Sequence, residues 1–211
     1  MAEKKNFGFD LTEILTSFEL NDTNECLHLQ EWLKTSSILS STEQEILEDL
    51  YLDIRTSGEY MNEEELKTRM VGLIFYAAKI DTPNKIRVFY ERPLAAKVNG
   101  ISLSVITDCM VATPLRSSPF LPYFFLQEFK KAKGEKRDPE AQMLSAMLIA
   151  QAKNNDNKPI YGSYMIGTSF HFTTLIGKDY CVSDKFDAVR KDELFQIVFI
   201  LRKLKELILN R

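Results

Sequence analysis

A chain of 211 residues with 45% hydrophobic and 27% charged side chains can bury a sizeable core, which argues against disorder and for one globular domain with at most a small appendage. Its net charge of -3 supplies no global basic field for nucleic acid, so any polyanion site must be local. Three cysteines without close spacing, Cys26, Cys109 and Cys181, argue against a disulfide framework or a zinc site; no apolar run reaches a membrane span and no leader pattern opens the chain, so a cytoplasmic protein is expected.

Residues 1–60 read as short helices joined by polar turns and form a helical N-terminal segment packed on the core. "DLTEILTSF" and "DTNECLHLQEWLK" are weak helices, the second burying Leu29, Trp32 and Leu33. "SSTEQEILEDLYLDI" is the clearest: Ser41 and Gln44 have capping-box spacing, and Ile46, Leu47, Leu50 and Ile54 share one face. Its acidic surface would repel a polyanion.

The main domain, residues 61–211, opens with a helix capped by Asn62 that carries Leu66, Met70, Leu73, Ile74 and Ala77 at helical spacing. Two strands come next, "IRVFYERPLAAKV" and "ISLSVITDCMVAT", joined by the hairpin signal Asn99-Gly100. A loop with Pro114, Pro119 and Pro122 should then lead to the strand "YFFLQEFK". Asp138 and Pro139 suit the N-cap and first position of "PEAQMLSAMLIAQAKN", a helix apolar on most of its circumference and hence expected in the interior. Three short strands with glycine turns and a long amphipathic helix, "KDELFQIVFILRKLKELILN", complete the chain. The order helix, three strands, helix, strands, helix predicts an α/β or α+β fold with a central sheet under helical cover.

Several chemistries lack their parts. Only His28 and His171 are present, no G-x-S-x-G or G-x-G-x-x-G occurs, and Gly177-Lys178 is followed by Asp179 where a phosphate-binding loop needs Ser or Thr. His171 between Phe170 and Phe172, and Tyr161 and Tyr164, read as sheet residues. The remaining candidates are carboxylates and lysine. Glu128 and Lys130, two apart in a strand, face the same side as Leu126 and away from Phe125, Gln127 and Phe129. Asp108 interrupts another apolar run. A buried carboxylate costs several kcal/mol unless it is paired or holds a cation, so two of them on neighbouring strands invite a hard metal ion such as magnesium. A lysine beside it could orient water and stabilise the charge of a pentavalent phosphate.

Asp on one strand and Glu-x-Lys on the next, with a helix before and after, resembles the PD-(D/E)XK nuclease superfamily over roughly Asn62 to the C-terminus. The resemblance implies a restriction-endonuclease-like mixed sheet flanked by helices and a magnesium-dependent nuclease, with manganese as substitute, acting on nucleic acid and on DNA first. Asp108 and Glu128 would be the metal-binding acids, the Phe129 carbonyl would complete the shell, and Lys130 would be the family lysine. Gln142 would match the glutamine that often comes after the motif. Among Glu63, Glu64 and Glu65, Glu65 is chosen as the acid of the first core helix, although its place three residues after Asn62 also suits a capping box. Thr107 stands where the family name has Pro. The run Lys130, Lys131, Lys133, Lys136 and Arg137 is a candidate phosphate grip or a solvated turn. The alternative is a catalytically inactive nuclease-like module that binds nucleic acid or a protein partner.

Overall fold

The computed structural model describes residues 10–23, 26–131 and 138–211. One mixed sheet of eight strands forms the centre. Helices α1 (Leu11–Ser17), α2 (Leu27–Leu33), α3 (Ser41–Ser57), α4 (Glu63–Glu65) and α5 (Gly72–Ala78) come from the first part of the chain, with the two-residue strand β1 (Asn21–Asp22) after α1. The remaining elements are β2 (Arg87–Val98), β3 (Ile101–Leu115), β4 (Ser118–Lys130), α6 (Pro139–Asn154), β5 (Ile160–Ile166), β6 (Ser169–Ile176), β7 (Asp179–Val182), β8 (Phe186–Asp187) and α7 (Lys191–Leu209). Across the sheet the order is β1-β7-β6-β5-β4-β3-β2, with β8 on β6. The pair β4–β5 is parallel, as a connection through a helix allows, and its neighbours β3–β4 and β5–β6 are antiparallel. The α/β expectation with helical cover therefore holds, and among the described residues no helix is long and apolar enough to cross a membrane.

Alternation of side chains along the strands divides the interior in two. One face packs Cys109, Val111, Phe125, Phe129, Met165 and Phe172 against α2, α3, α5 and α7. The other packs Met110, Leu126, Ile160 and Leu175 against α1 and α6. Helix α6 is buried along most of its length, as its nearly unbroken apolar circumference requires. Its start is fixed as expected: Pro139 is its first residue and Asp138 accepts from the Glu140 N–H at 2.9 Å. The Asn99-Gly100 turn joins β2 to β3, both residues taking the positive φ (45° and 86°) that a two-residue hairpin needs.

Five local expectations are corrected. The capping box of α3 is made by Ser40 and Glu43 rather than Ser41 and Gln44, and Ile46 is exposed while Leu47, Leu50 and Ile54 are buried. Leu33 is only partly buried beside the fully buried Trp32. Between α4 and α5 the residues Leu66–Val71 form a π-helical turn, whose extra residue per turn rotates α5 about its axis; Leu73 is thereby exposed, and Val71 and Phe75 join the core. The prolines do not form a loop: Pro114 and Pro119 are opposed in a hairpin that closes tightly between Leu115 and Ser118, and register shifts between Val111, Ala112 and Thr113 leave Leu121, Pro122 and Phe124 of β4 without an opposite residue.

The N-terminal segment contributes to both faces, Ile14 to one and Trp32 to the other. The Trp32 indole meets Phe125, Tyr161 and Phe172 edge-on at centroid distances of 6.3, 4.9 and 5.2 Å, and its Nε1 donates to the Ile200 carbonyl at 2.8 Å. Removing the ring leaves a cavity between α2, α7 and three strands. Trp32→Ala should therefore lower the unfolding free energy by ~3–5 kcal/mol in urea denaturation followed by far-UV circular dichroism. A loss under ~1 kcal/mol would mean that α2 lies outside the cooperative core.

Candidate active site

The ladder between β3 and β4 runs from Leu115 opposite Ser118 to Cys109 opposite Gln127, and there it stops. Beyond that point β3 stays with β2, whereas Glu128, Phe129 and Lys130 of β4 lie opposite Tyr164, Met165 and Ile166 of β5. The sheet forks. Pairing with β2 also skips Asp108, opposite which Glu91 takes a left-handed φ of 51°, uncommon for a residue with a side chain. Backbone groups released by a fork in the interior need other partners.

Side chains supply them. Asp108 Oδ2 accepts the Phe129 N–H at 2.9 Å, and Glu128 Oε1 accepts the Asp108 N–H at 3.3 Å. Thr107 Oγ1 lies 3.0 Å from the Cys109 carbonyl and 3.3 Å from the Gln127 carbonyl, to which its hydroxyl donates. A proline at 107 has no hydroxyl and could not make these bonds. The reciprocal exchange draws the two carboxyl groups together. Glu128 is fully buried, and its second oxygen accepts from Gln142 Nε2 at 3.1 Å. Gln142 Oε1 is also buried and has no hydrogen-bond partner among the described residues.

Burial, then the charge of Asp108 and a hydrogen bond with its carboxyl, pushes the Glu128 pKa well above the ordinary carboxylate range, with Lys130 opposing. Two adjoining acids, Glu128 fully buried and Asp108 half-buried, are held together either by a shared proton or by a cation. Lys130, 9% exposed, donates to the Phe129 carbonyl at 3.2 Å and stands 3.2 Å from Glu63 Oε1, at ion-pair distance without hydrogen-bond geometry. Asp108, Glu128, Lys130, Gln142 and the Phe129 carbonyl are thus brought together at the fork.

Glu65 is not part of that contact set. Its carboxylate accepts the Asn62 N–H at 2.9 Å and its own N–H donates to Asn62 Oδ1 at 3.0 Å, a complete capping box. Glu63 faces Lys130 instead. The signal lies in the local sequence: an acid at the third helical position is consumed by an Asn cap, which leaves the acid at the first position free. Lys131 is exposed, and Lys133, Lys136 and Arg137 lie outside the described residues. Tyr164, read from the sequence as a sheet residue, is one, and it is the partner of Glu128 across β4–β5. It stacks on His171 at 4.7 Å with an interplanar angle of 11°, and near it Tyr180 donates to Glu140 Oε1 at 3.0 Å. Burial raises the Glu140 pKa while hydrogen bonds from Tyr164 and Tyr180 pull it down, so this carboxyl fastens the first turn of α6 to the sheet.

Among the described residues no three His, Cys, Asp or Glu side chains are grouped to share a metal. A cation here would rest on two carboxylates, the Phe129 carbonyl and solvent. That all-oxygen set suits magnesium, which keeps several of its waters. A scan against protein-family models finds no match, and a search of curated proteins finds none either.

The raised Glu128 pKa fixes the sign of a pH effect. Without divalent cations the folded state holds the Glu128 proton more tightly than the unfolded chain. Its contribution is fully favourable below the unfolded carboxylate pKa and is lost as pH rises through the folded value. Glu128→Gln copies the protonated acid at every pH. In EDTA it should be more stable than the wild type at neutral pH, with the difference vanishing below ~pH 4. Thermal unfolding from pH 3 to 8 measures this, and an equal gap at all pH values would show that Glu128 does not titrate abnormally.

Proposed function

We propose that this chain is a metal-dependent nuclease with a restriction-endonuclease-like core of the PD-(D/E)XK type, hydrolysing phosphodiester bonds of nucleic acid. The observation that carries the reading is the contact between Asp108 and Glu128, delivered from adjacent strands into a buried fork with the Lys130 ammonium beside them. Such a pair of charges is costly to keep and has a direct use in holding a hard cation. The succession of capped helix, three antiparallel strands, buried helix and parallel fifth strand supports the same reading.

On this reading Asp108, Glu128 and the Phe129 carbonyl would hold magnesium. Bound there, the ion would supply Lewis-acid charge for a phosphoryl oxygen and lower the pKa of water. Gln142 holds Glu128 from the α6 side, and its unpartnered Oε1 can accept a hydrogen bond that orients an attacking water. Lys130 meets the negative charge that grows on the phosphorus oxygens, and Glu63 and the Phe129 carbonyl fix where its ammonium stands. Free Cys26, Cys109 and Cys181 suit a reducing, cytoplasmic compartment.

Manganese titration by calorimetry, run beside cleavage of mixed DNA and RNA substrates in magnesium, tests the assignment. The wild type should bind, and the Asp108→Ala, Glu128→Ala double variant should give no binding heat. Lys130→Met keeps the oxygen donors, so it should bind manganese yet cleave ~100-fold or more slowly, the usual scale for losing one electrostatic donor. Lys130→Arg should not restore the rate, because a planar guanidinium cannot take the place of a compact ammonium. Identical heats for the wild type and the double variant would remove the metal site. Binding without cleavage of any substrate would leave the inactive binding module.

A further inference from the structure

The fork leaves two sulfur atoms unused on the opposite side of the sheet. Cys26 precedes α2 and Cys181 lies in β7, and both are buried in the same apolar cluster. Three contacts place them together. Cys181 is the direct cross-strand partner of Thr174 on β6, and Cys26 Sγ lies 3.3 Å from Thr174 Oγ1. Each thiol is also close enough to the other to alter its acidity. Both line an open cleft of about 690 Å³ together with Asn21, Thr23, His28 and Asp179; Cys181 is fully buried, and Cys26, with 7% of its surface exposed, is the sulfur a reagent in the cleft meets first.

We propose that Cys26 and Cys181 form a redox-active dithiol that a low-molecular-weight disulfide oxidises to an intramolecular disulfide. The two thiols differ in acidity. Burial raises the Cys26 pKa, but the hydrogen bond with Thr174, the adjacent Cys181 thiol and the backbone N–H groups of Leu29 and His28 outweigh it and leave the thiol below its ordinary value. Burial and the neighbouring Cys26 push Cys181 up to about 12. Cys26 is therefore the attacking sulfur.

Its thiolate attacks one sulfur of the small disulfide, breaking that S–S bond and releasing one small thiolate, which takes a proton. Cys181 then gives up its proton and attacks the Cys26 sulfur, and the second small thiol leaves. The protein loses two electrons and two protons, and the oxidant gains both as two thiols. The new bond ties the start of α2, and with it Trp32, to β7 without touching the carboxylate fork. It stands independently of the nuclease reading.

The test incubates the full chain with glutathione disulfide under native conditions, alkylates free thiols after denaturation, and maps peptides by mass spectrometry. The wild type should lose two of its three thiols. The linked peptides should join Cys26 to Cys181, the melting temperature should rise by roughly 5–10 °C, and dithiothreitol should reverse both changes. Cys181→Ser should stop at a stable glutathione adduct on Cys26, and Cys26→Ser should not react. Cys109→Ala should behave as the wild type. Three free thiols after incubation, a lasting glutathione adduct on the wild type, or a link to Cys109 would each overturn the proposal, and the wild-type map decides even where a cysteine variant misfolds.

Discussion

The divergence of β3 from β4 is the constraint on which the candidate site depends. An internal fork frees backbone donors and acceptors just where water is scarce, and side chains must replace the missing ladder. Asp108 and Glu128 meet this need reciprocally, each accepting an N–H from the other's strand, and the Thr107 hydroxyl donates toward the Cys109 and Gln127 carbonyls. That arrangement brings two acids into contact as a result of satisfying the backbone. The same residues therefore hold the fold locally and create the charge that chemistry could use.

Much of this is legible in the sequence because charge inside an apolar strand is a strong signal. Asp108 and Glu128 stand out for that reason, period-two alternation puts Glu128 and Lys130 on one side, and Asp138-Pro139 fixes the phase of α6 so that Gln142 falls one turn inside. The features that escape a sequence reading depend on contacts distant in the chain. The fork results from the competition of β2 and β5 for the ends of β3 and β4, which no local pattern encodes. The π-helical turn and the proline-tolerant bulges displace Leu73 and close the β3–β4 hairpin, and each is a tertiary answer to packing rather than a propensity. Glu63 and Glu65 differ by half a helical turn; only the Asn62 cap, which occupies Glu65, separates their roles.

The N-terminal segment, outside the candidate site, still braces the strands that form it. Trp32 packs on Phe125 of β4, Tyr161 of β5 and Phe172 of β6, three consecutive strands, two of which form the parallel pair behind the fork. On the opposite face α6 presses Gln142 and the Glu140 carboxyl against the sheet. Strands held from both sides cannot slide to relieve the contact between the carboxyls. Interiors at crystal-like density transmit such restraint, and a site held this way keeps its geometry without a ligand.

That restraint also settles the energetic role of a cation on the nuclease reading. Without one, the fork keeps Glu128 only by retaining a proton, and its ionisation at neutral pH opposes folding. With a cation on the two acids, the same ionisation becomes favourable, and binding stabilises the folded chain in proportion to RT ln(1 + [L]/Kd). Lys130 cannot perform that exchange alone, because its ammonium is shared between Glu63 and the Phe129 carbonyl. Binding must then release the Glu128 proton, so cation affinity should rise with pH up to the folded pKa of Glu128. A passive buried salt bridge has no such coupling, and this dependence separates a site built for a cation from a pair of acids kept only to close the fork.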